Sequence, residues 1–294
     1  MSAREFRPRE ADAGRIALGI EYDGSRFAGW QWQSGRRTVQ AVLEQALGRV
    51  AAEPVRVHAS GRTDAGVHAL QQVIHFDTIA RRPERAWVMG TNTALPDDVR
   101  VLWAAAVPPT FHARYSAIAR HYRYVILNRA TRSALMHRKA TWCFYSLDAG
   151  RMQEAAAHLL GEHDFSAFRA QGCQSKSPFR RMHLIEVYRE RDQVVVDLIA
   201  NAFLHHMVRN IVGVLIAIGA GRADPDWSRE VLAARSRALA GITAPPDGLY
   251  FANVMYPAAY SLPQDPIFSR LPPGVARFNP DHPDDGVSLA ANSR

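Results

Sequence analysis

The sequence predicts an α+β protein whose sheets are mainly antiparallel. Two observations lead there. Short segments of alternating apolar and polar residues outnumber tight strand–helix–strand units. A strand–helix rhythm in the first half of the 294-residue chain also returns in the second, as weak internal duplicates without an identical repeat.

The elements follow in order. Ile16, Leu18, Ile20 and Tyr22 occupy alternate positions, as one face of a strand requires. Val39, Val42, Leu43, Ala46, Leu47 and Val50 fall at helical spacing, and Thr38 is placed to cap that helix. Val55 to Ala59 alternates again and reads as a half-buried strand. Gln72 to Phe76 and Val99 to Val107 read as two more. Tyr122 to Leu127 is extended, which puts Tyr122 and Tyr124 on one face and His121 and Arg123 on the other. The pair reads most simply as core tyrosines, and for Tyr124 that reading is preferred. Asp148 caps a helix carrying Met152, Ala155, Ala156, Leu159 and Leu160. Strands at Leu184 to Tyr188 and Val194 to Ala200 precede an apolar helix after His205. Trp227, Val231, Ala234 and Ala238 mark another helix, and Leu249 to Met255 a closing strand. Beyond Pro257, prolines at 263, 266, 272, 273, 280 and 283 interrupt any regular element. The expected organisation is an extension over residues 1–14, α+β halves over 15–112 and 113–257, and a tail over 258–294. The tail is expected to pack partly, near Ile267 and Phe268, and to be mobile towards its end.

Composition narrows the function. Two cysteines, Cys143 and Cys173, make neither a disulfide framework nor a four-cysteine zinc site. The first 15 residues are polar and charged, unlike a secretory signal. The apolar run Ile211 to Ala220 is far short of the ~20 residues that span a bilayer. These features predict a reduced cytoplasmic setting and no membrane. The formal charge is +8, and its placement says more than its size. From Val99 to Leu147 there is no Asp or Glu, while Arg100, Arg114, Arg120, Arg123, Arg129, Arg132, Arg138 and Lys139 all fall there. Phe111, Tyr115, Tyr122 and Tyr124 are interleaved with them, which favours a surface for a phosphate backbone over a merely solvated face.

The densest chemistry lies in Gly61-Arg62-Thr63-Asp64-Ala65-Gly66-Val67-His68-Ala69. One guanidinium, one hydroxyl and one carboxylate stand in a row between glycines. An arginine beside an aspartate favours the ionised carboxylate, and an ionised Asp on a constrained loop suits a nucleophile or general base. Competing machinery is absent from the sequence. There is no Gly-Lys-Ser/Thr phosphate loop, no dinucleotide-binding fingerprint after a strand, no Gly-x-Ser-x-Gly elbow and no His-Glu-x-x-His or Cys-x-x-Cys spacing. His205 and His206 are adjacent; on a helix they would point ~100° apart and share a metal poorly. No metal and no cofactor are therefore expected. Arg209, in Met207-Val208-Arg209-Asn210 at the edge of the apolar helix, needs a partner, because burying a lone charge is costly.

The nine-residue loop closely resembles the signature of the TruA family of tRNA pseudouridine synthases. Further segments match that family in the same order: Glu21-Tyr22-Asp23-Gly24-Ser25, Gly29-Trp30-Gln31, Phe111-His112-Ala113-Arg114 and Tyr122-Arg123-Tyr124. Asp164-Phe165 with Phe168-Arg169, Asn201 to Asn210 and Gly248-Leu249-Tyr250 follow, so the resemblance runs from about Arg15 to about Pro257. It implies a pseudouridine synthase fold of two similar halves joined in one mainly antiparallel sheet, flanked by helices, with a central cleft. It implies isomerisation of uridine to pseudouridine at positions 38 to 40 of the tRNA anticodon stem-loop, without a cofactor, by a homodimer. By the same resemblance Asp64 is the catalytic nucleophile or base, Arg209 its partner, and Tyr122 the residue that packs on the uracil. Arg62 is expected to steady the flipped state and Leu249 to wall the pocket, and the basic window places Arg120 and Arg123 among the expected RNA contacts. The alternative is a silent tRNA-binding or RNA-folding protein on the same scaffold, which would not need Asp64.

Overall fold

The computed structural model of the chain describes residues 13–263. The expectations for Ile267, Phe268 and the rest of the tail, and for residues 1–12, lie outside these. The described residues divide into two compact units, 13–117 with 257–263, and 118–256.

The first unit contains β1 (Gly14–Tyr22), α1 (Val39–Ala51), β2 (His58–Ala59), β3 (His68–Thr78), α2 (Glu84–Ala94) and β4 (Val99–Val107). β1 lies between β3 and β4, antiparallel to both; Leu18 faces Ile74 on one side and Ala104 on the other. Its expected one-sided pattern is incomplete, because Ala17, Leu18 and Ile20 are all fully buried. A strand at the middle of a sheet loses solvent on both faces once helices pack on it. Thr38 caps α1 as expected, its hydroxyl accepting from the Ala41 N–H at 3.4 Å. The strand expected over Val55 to Ala59 shrinks to β2, paired with β3 through His58↔His75 and Ala59↔Ile74. The alternation itself survives, with Val55 and Val57 buried and Arg56 and His58 exposed. The Glu44 carboxylate takes the Val57 N–H at 3.1 Å, so a side chain replaces the ladder there.

The second unit contains β5 (Ala119–Asn128), β6 (Thr141–Cys143), α3 (Ala149–Ala157), β7 (Gly161–Asp164), β8 (Phe179–Glu190), β9 (Gln193–Ala200), α4 (Met207–Gly219), α5 (Trp227–Ala234) and β10 (Leu249–Met255). Its strands run in the order β10-β5-β9-β8-β7, with antiparallel neighbours. β6 extends the ladder of β5 in parallel beyond the end of β10. Asp148 caps α3, taking the N–H groups of Gly150 and Arg151 at 2.8 and 3.1 Å. Two helices end sooner than their apolar spacing suggested. α3 stops at Ala157, and Leu159 turns into the core before Gly161. α5 stops where Arg235 takes a left-handed conformation, which leaves Ala238 in a separate short turn. The short strands β6 and β7 carry no periodic signal in the sequence. Together the units give the α+β, mainly antiparallel architecture that the sequence predicts.

Candidate active site

Asp64 sits in the connection between β2 and β3, and the residues around it set its backbone from behind. Tyr22, the last residue of β1, is buried, and its hydroxyl bonds the Thr63 hydroxyl at 2.8 Å. Burial pushes that phenol up to about 12, so it stays protonated at neutral pH. The Trp30 N–H donates to the Thr63 carbonyl at 2.9 Å. The Gln72 amide donates to the Gly61 carbonyl at 2.6 Å and meets the Ser60 hydroxyl through its oxygen. The Val67 N–H closes the turn on the Asp64 carbonyl at 3.2 Å.

Two glycines make this packing possible. Gly29 has φ +93°, and a Cβ there would stand 2.9 Å from the Thr63 carbonyl oxygen and 3.1 Å from the Ala65 nitrogen. A Cβ on Gly24 would meet the Val67 carbonyl oxygen at 1.9 Å. The Gly24 N–H donates to His68 Nδ1 at 3.1 Å, and Asp23 holds Ser25 through its N–H and hydroxyl. The segments Glu21 to Ser25 and Gly29 to Gln31, noted in the sequence for their resemblance alone, thus form the bed of the Asp64 loop. On this bed Asp64 is half-buried and Arg62 exposed. The arrangement presents a carboxylate at a surface on a backbone that cannot easily shift.

In the second unit Tyr122 is half-buried, edge-on to Phe203 and Phe251 with centroids 4.9 and 5.1 Å away. Tyr124, on the same face of β5, is fully buried; its hydroxyl meets the Thr141 hydroxyl at 2.6 Å and donates to the Pro245 carbonyl at 2.7 Å. Leu249 is buried and lies opposite Tyr124 across the strand pair. Arg209, in the first turn of α4, is half-buried and donates from Nε to the Ala244 carbonyl at 2.7 Å. His205 and His206 precede α4 instead of lying on it, with His206 at φ 60°. Their rings approach to 4.0 Å between centroids, so the helical argument that they diverge does not hold.

The basic window is not uniformly available. Arg100 reaches Asp97 at 2.9 Å and Arg129 reaches Asp192 at 3.2 Å. Arg120 is half-buried, with Nη1 on the Asn201 carbonyl at 2.8 Å. Arg123 points to the opposite face of β5 from Tyr122, where Nε and Nη2 donate to Asp197 at 3.0 and 3.1 Å. His121 Nε2 lies 2.6 Å from the same carboxylate, and the Tyr188 hydroxyl donates to it at 3.1 Å. Asp197 and His121 have no exposed surface. Burial raises the Asp197 carboxyl, but the bonds and charges of His121 and Arg123 outweigh it and hold the group below its ordinary range. Sequence reasoning passed over Asp197. The available signal was a lone acid inside the apolar run Val194 to Ala200, which requires a buried partner.

The family described as tRNA pseudouridine synthase matches residues 19–116 and 155–257. The chain belongs to the tRNA pseudouridine synthase family. The matched segments contain Arg62, Asp64, Arg209 and Leu249, whereas Arg120, Tyr122 and Arg123 fall between them. Among tRNA pseudouridine synthase relatives, "tRNA pseudouridine synthase A" of Methylococcus capsulatus is 62% identical over 91% of this chain and 98% of its own length. The protein of that name from Nitrosococcus oceani is 60% identical over 85% of this chain and 96% of its own. The one from Pseudomonas aeruginosa is 54% identical over 86% and 90%.

Proposed function

We propose that this protein isomerises uridine to pseudouridine in tRNA, at positions 38 to 40 of the anticodon stem-loop. The observation that carries the reading is the Asp64 loop, a half-buried carboxylate on a braced backbone, within a chain that matches relatives of this name over nearly their whole length. The reaction breaks the bond from uracil N1 to ribose C1′, turns the base, and joins C5 to the same C1′. The proton leaves C5, and N1 gains one. Nothing is transferred in net terms, so the chemistry calls for a nucleophile or base and for no energy source, metal or cofactor.

Asp64 starts glycosidic cleavage, by attack at C1′ or on the uracil ring. Tyr122 packs on the base, and Arg209 serves as the partner of the carboxylate. The target base must leave its stack, at a cost of a few kcal/mol. Arg62 steadies the flipped state, Arg120 contributes a phosphate contact and Leu249 lines the pocket. Arg123 is better assigned to the sheet, since its fork is taken by Asp197. The same reading includes a homodimer working in the cytoplasm; among the described residues no helix is long and apolar enough to cross a membrane.

Asp64→Asn tests the reading. The substitution keeps size and removes both nucleophile and base. Pseudouridine formation should vanish while tRNA affinity stays within about tenfold, because phosphate contacts dominate affinity. Substantial turnover by the purified variant would refute the role of Asp64. A wild-type protein that binds tRNA without forming pseudouridine would establish the silent binder instead.

A further inference from the structure

Folding sorts Phe111, Tyr115, Tyr122 and Tyr124, four aromatic residues of the basic window. Phe111 and Tyr124 are fully buried and Tyr122 half-buried, whereas Tyr115 is 76% exposed. A single exposed ring is ordinary. What sets Tyr115 apart is how firmly its backbone is held and what surrounds it. His112 Nδ1 accepts the N–H of Arg114 at 3.1 Å and of Tyr115 at 3.4 Å. The Ser116 N–H returns to the His112 carbonyl, and the His112 N–H to the Ser116 hydroxyl, each at 2.9 Å. The turn from 112 to 116 is thus closed around one histidine.

That histidine is anchored in turn. Its ring lies 4.5 Å from His75 and 5.6 Å from His58, and buried His75 takes the Ala113 N–H at Nδ1, 3.1 Å away. Burial and the nearby His58 and Arg15 charges lower the His112 ring's affinity for a proton. A neutral His112 whose Nδ1 accepts must carry its hydrogen on Nε2, so the ring is a fixed donor. The same bonds disfavour a metal on these histidines, because metal at Nε2 would need the hydrogen moved to an Nδ1 that faces backbone donors.

The Tyr115 ring lies 4.3 Å from the His112 ring, with the Arg114 guanidinium 5.6 Å from its centroid. Asp77, whose charge acts on His75 in this cluster, is held in a fork by Arg15 at 2.7 and 2.8 Å. An aromatic face on a fixed backbone, a guanidinium and an imidazole donor match a nucleobase and its phosphate, and a backbone already ordered loses little entropy when it binds. Among the described residues Trp32, Phe144, Tyr145 and Phe179 are also exposed; Arg222 already lies 4.2 Å above Tyr145, and Arg132 4.4 Å above the half-buried Trp142 beside Phe144.

We propose that Tyr115, with Arg114 and His112, is a stacking platform for an unpaired base of the RNA substrate and its neighbouring phosphate. The proposal rests on the reading that the chain acts on tRNA. The test uses the full chain and an unmodified tRNA transcript, with equilibrium binding measured across a salt series. Tyr115→Ala should bind about tenfold more weakly with an unchanged melting temperature, and Tyr115→Phe should bind like the wild type. Arg114→Gln should lower the slope of log affinity against log salt by about 0.7–0.9, one phosphate contact. Binding by Tyr115→Ala within twofold of wild type would overturn the platform. So would a changed oligomeric state at unchanged tRNA affinity, which would make the patch a protein contact. Pseudouridine assayed in the wild-type reactions separates the two readings. Binding without product, still weakened by Tyr115→Ala, removes the enzyme and keeps the platform; product with undiminished binding by Tyr115→Ala removes the platform alone.

Discussion

Asp64 and Asp197 are both aspartates beside arginines, and the two units house them in opposite ways. Asp197 lies mid-strand with no exposed surface, and His121, Arg123 and Tyr188 direct donors at its two oxygens. Asp64 is half-buried on a connection whose shape is set by bonds to Gly61, Thr63 and Val67. A carboxylate saturated with donors inside a sheet ties strands together and is spent on that task. One carried to a surface by a braced loop keeps an orientation while the loop's own stability is supplied by its neighbours. The difference separates an acid that serves the fold from one suited to chemistry.

The largest expected effect comes from exchanging what each aspartate loses. Asp64→Asn should cut pseudouridine formation more than a thousandfold while unfolding free energy changes by less than about 1 kcal/mol, read by single-turnover assay and denaturant titration. Asp197→Ala should instead destabilise the protein by about 3–5 kcal/mol, because it strands His121 and Arg123 without their acceptor. If the two variants showed the same profile, the contrast between them would collapse.

Acid should sharpen the contrast between the units. Burial and the neighbouring His112, Arg15 and His58 charges push His75 in β3 down to about 3, against an ordinary value near ~6.5. A histidine with a depressed value contributes nothing unfavourable above pH ~6.5. It costs stability as pH falls from there towards about 3, at roughly 1.4 kcal/mol per pH unit. Asp197 is also depressed, but a depressed carboxylate loses its contribution only as pH drops below ~3.9. Amide exchange protection in β3 should therefore weaken between pH ~6 and ~4 while that of β9 holds, and His75→Gln should flatten the trend. Equal loss in both strands would break it.

Smaller effects probe the bed of the loop. Gly29→Ala places a methyl 2.9 Å from the Thr63 carbonyl at a positive φ; it should cost about 1–3 kcal/mol and lower turnover at least tenfold without touching substrate. Turnover unchanged at that loss of stability would mean that the brace does not position Asp64. Tyr122→Phe retains the ring between Phe203 and Phe251 and should reduce turnover less than about fivefold. A loss near a hundredfold would assign the hydroxyl to proton transfer.

Much of this was legible beforehand. The Asp64 motif, the capped helices α1 and α3, the paired faces of β5 and the span of β10 follow from spacing and turn chemistry, which act over a few residues. Arg123 was the instructive miss. Its window holds no acid in sequence, yet Asp197 arrives from 74 positions away along the chain, and no local pattern encodes that approach. His205 and His206 show the same at short range: a helical reading of their spacing failed because His206 takes a left-handed conformation before α4 begins.

By itself the sequence determined the fold class, the order of most elements and the candidate residues on which the proposed chemistry rests, because periodicity, capping and a dense motif are local properties of the chain. The tertiary structure decided which charges face solvent, which aspartate is buried and which aromatic rings of the basic window stand in water. Those outcomes depend on residues brought together across a sheet or around a turn, where burial and hydrogen bonding fix what a side chain has left to offer a partner.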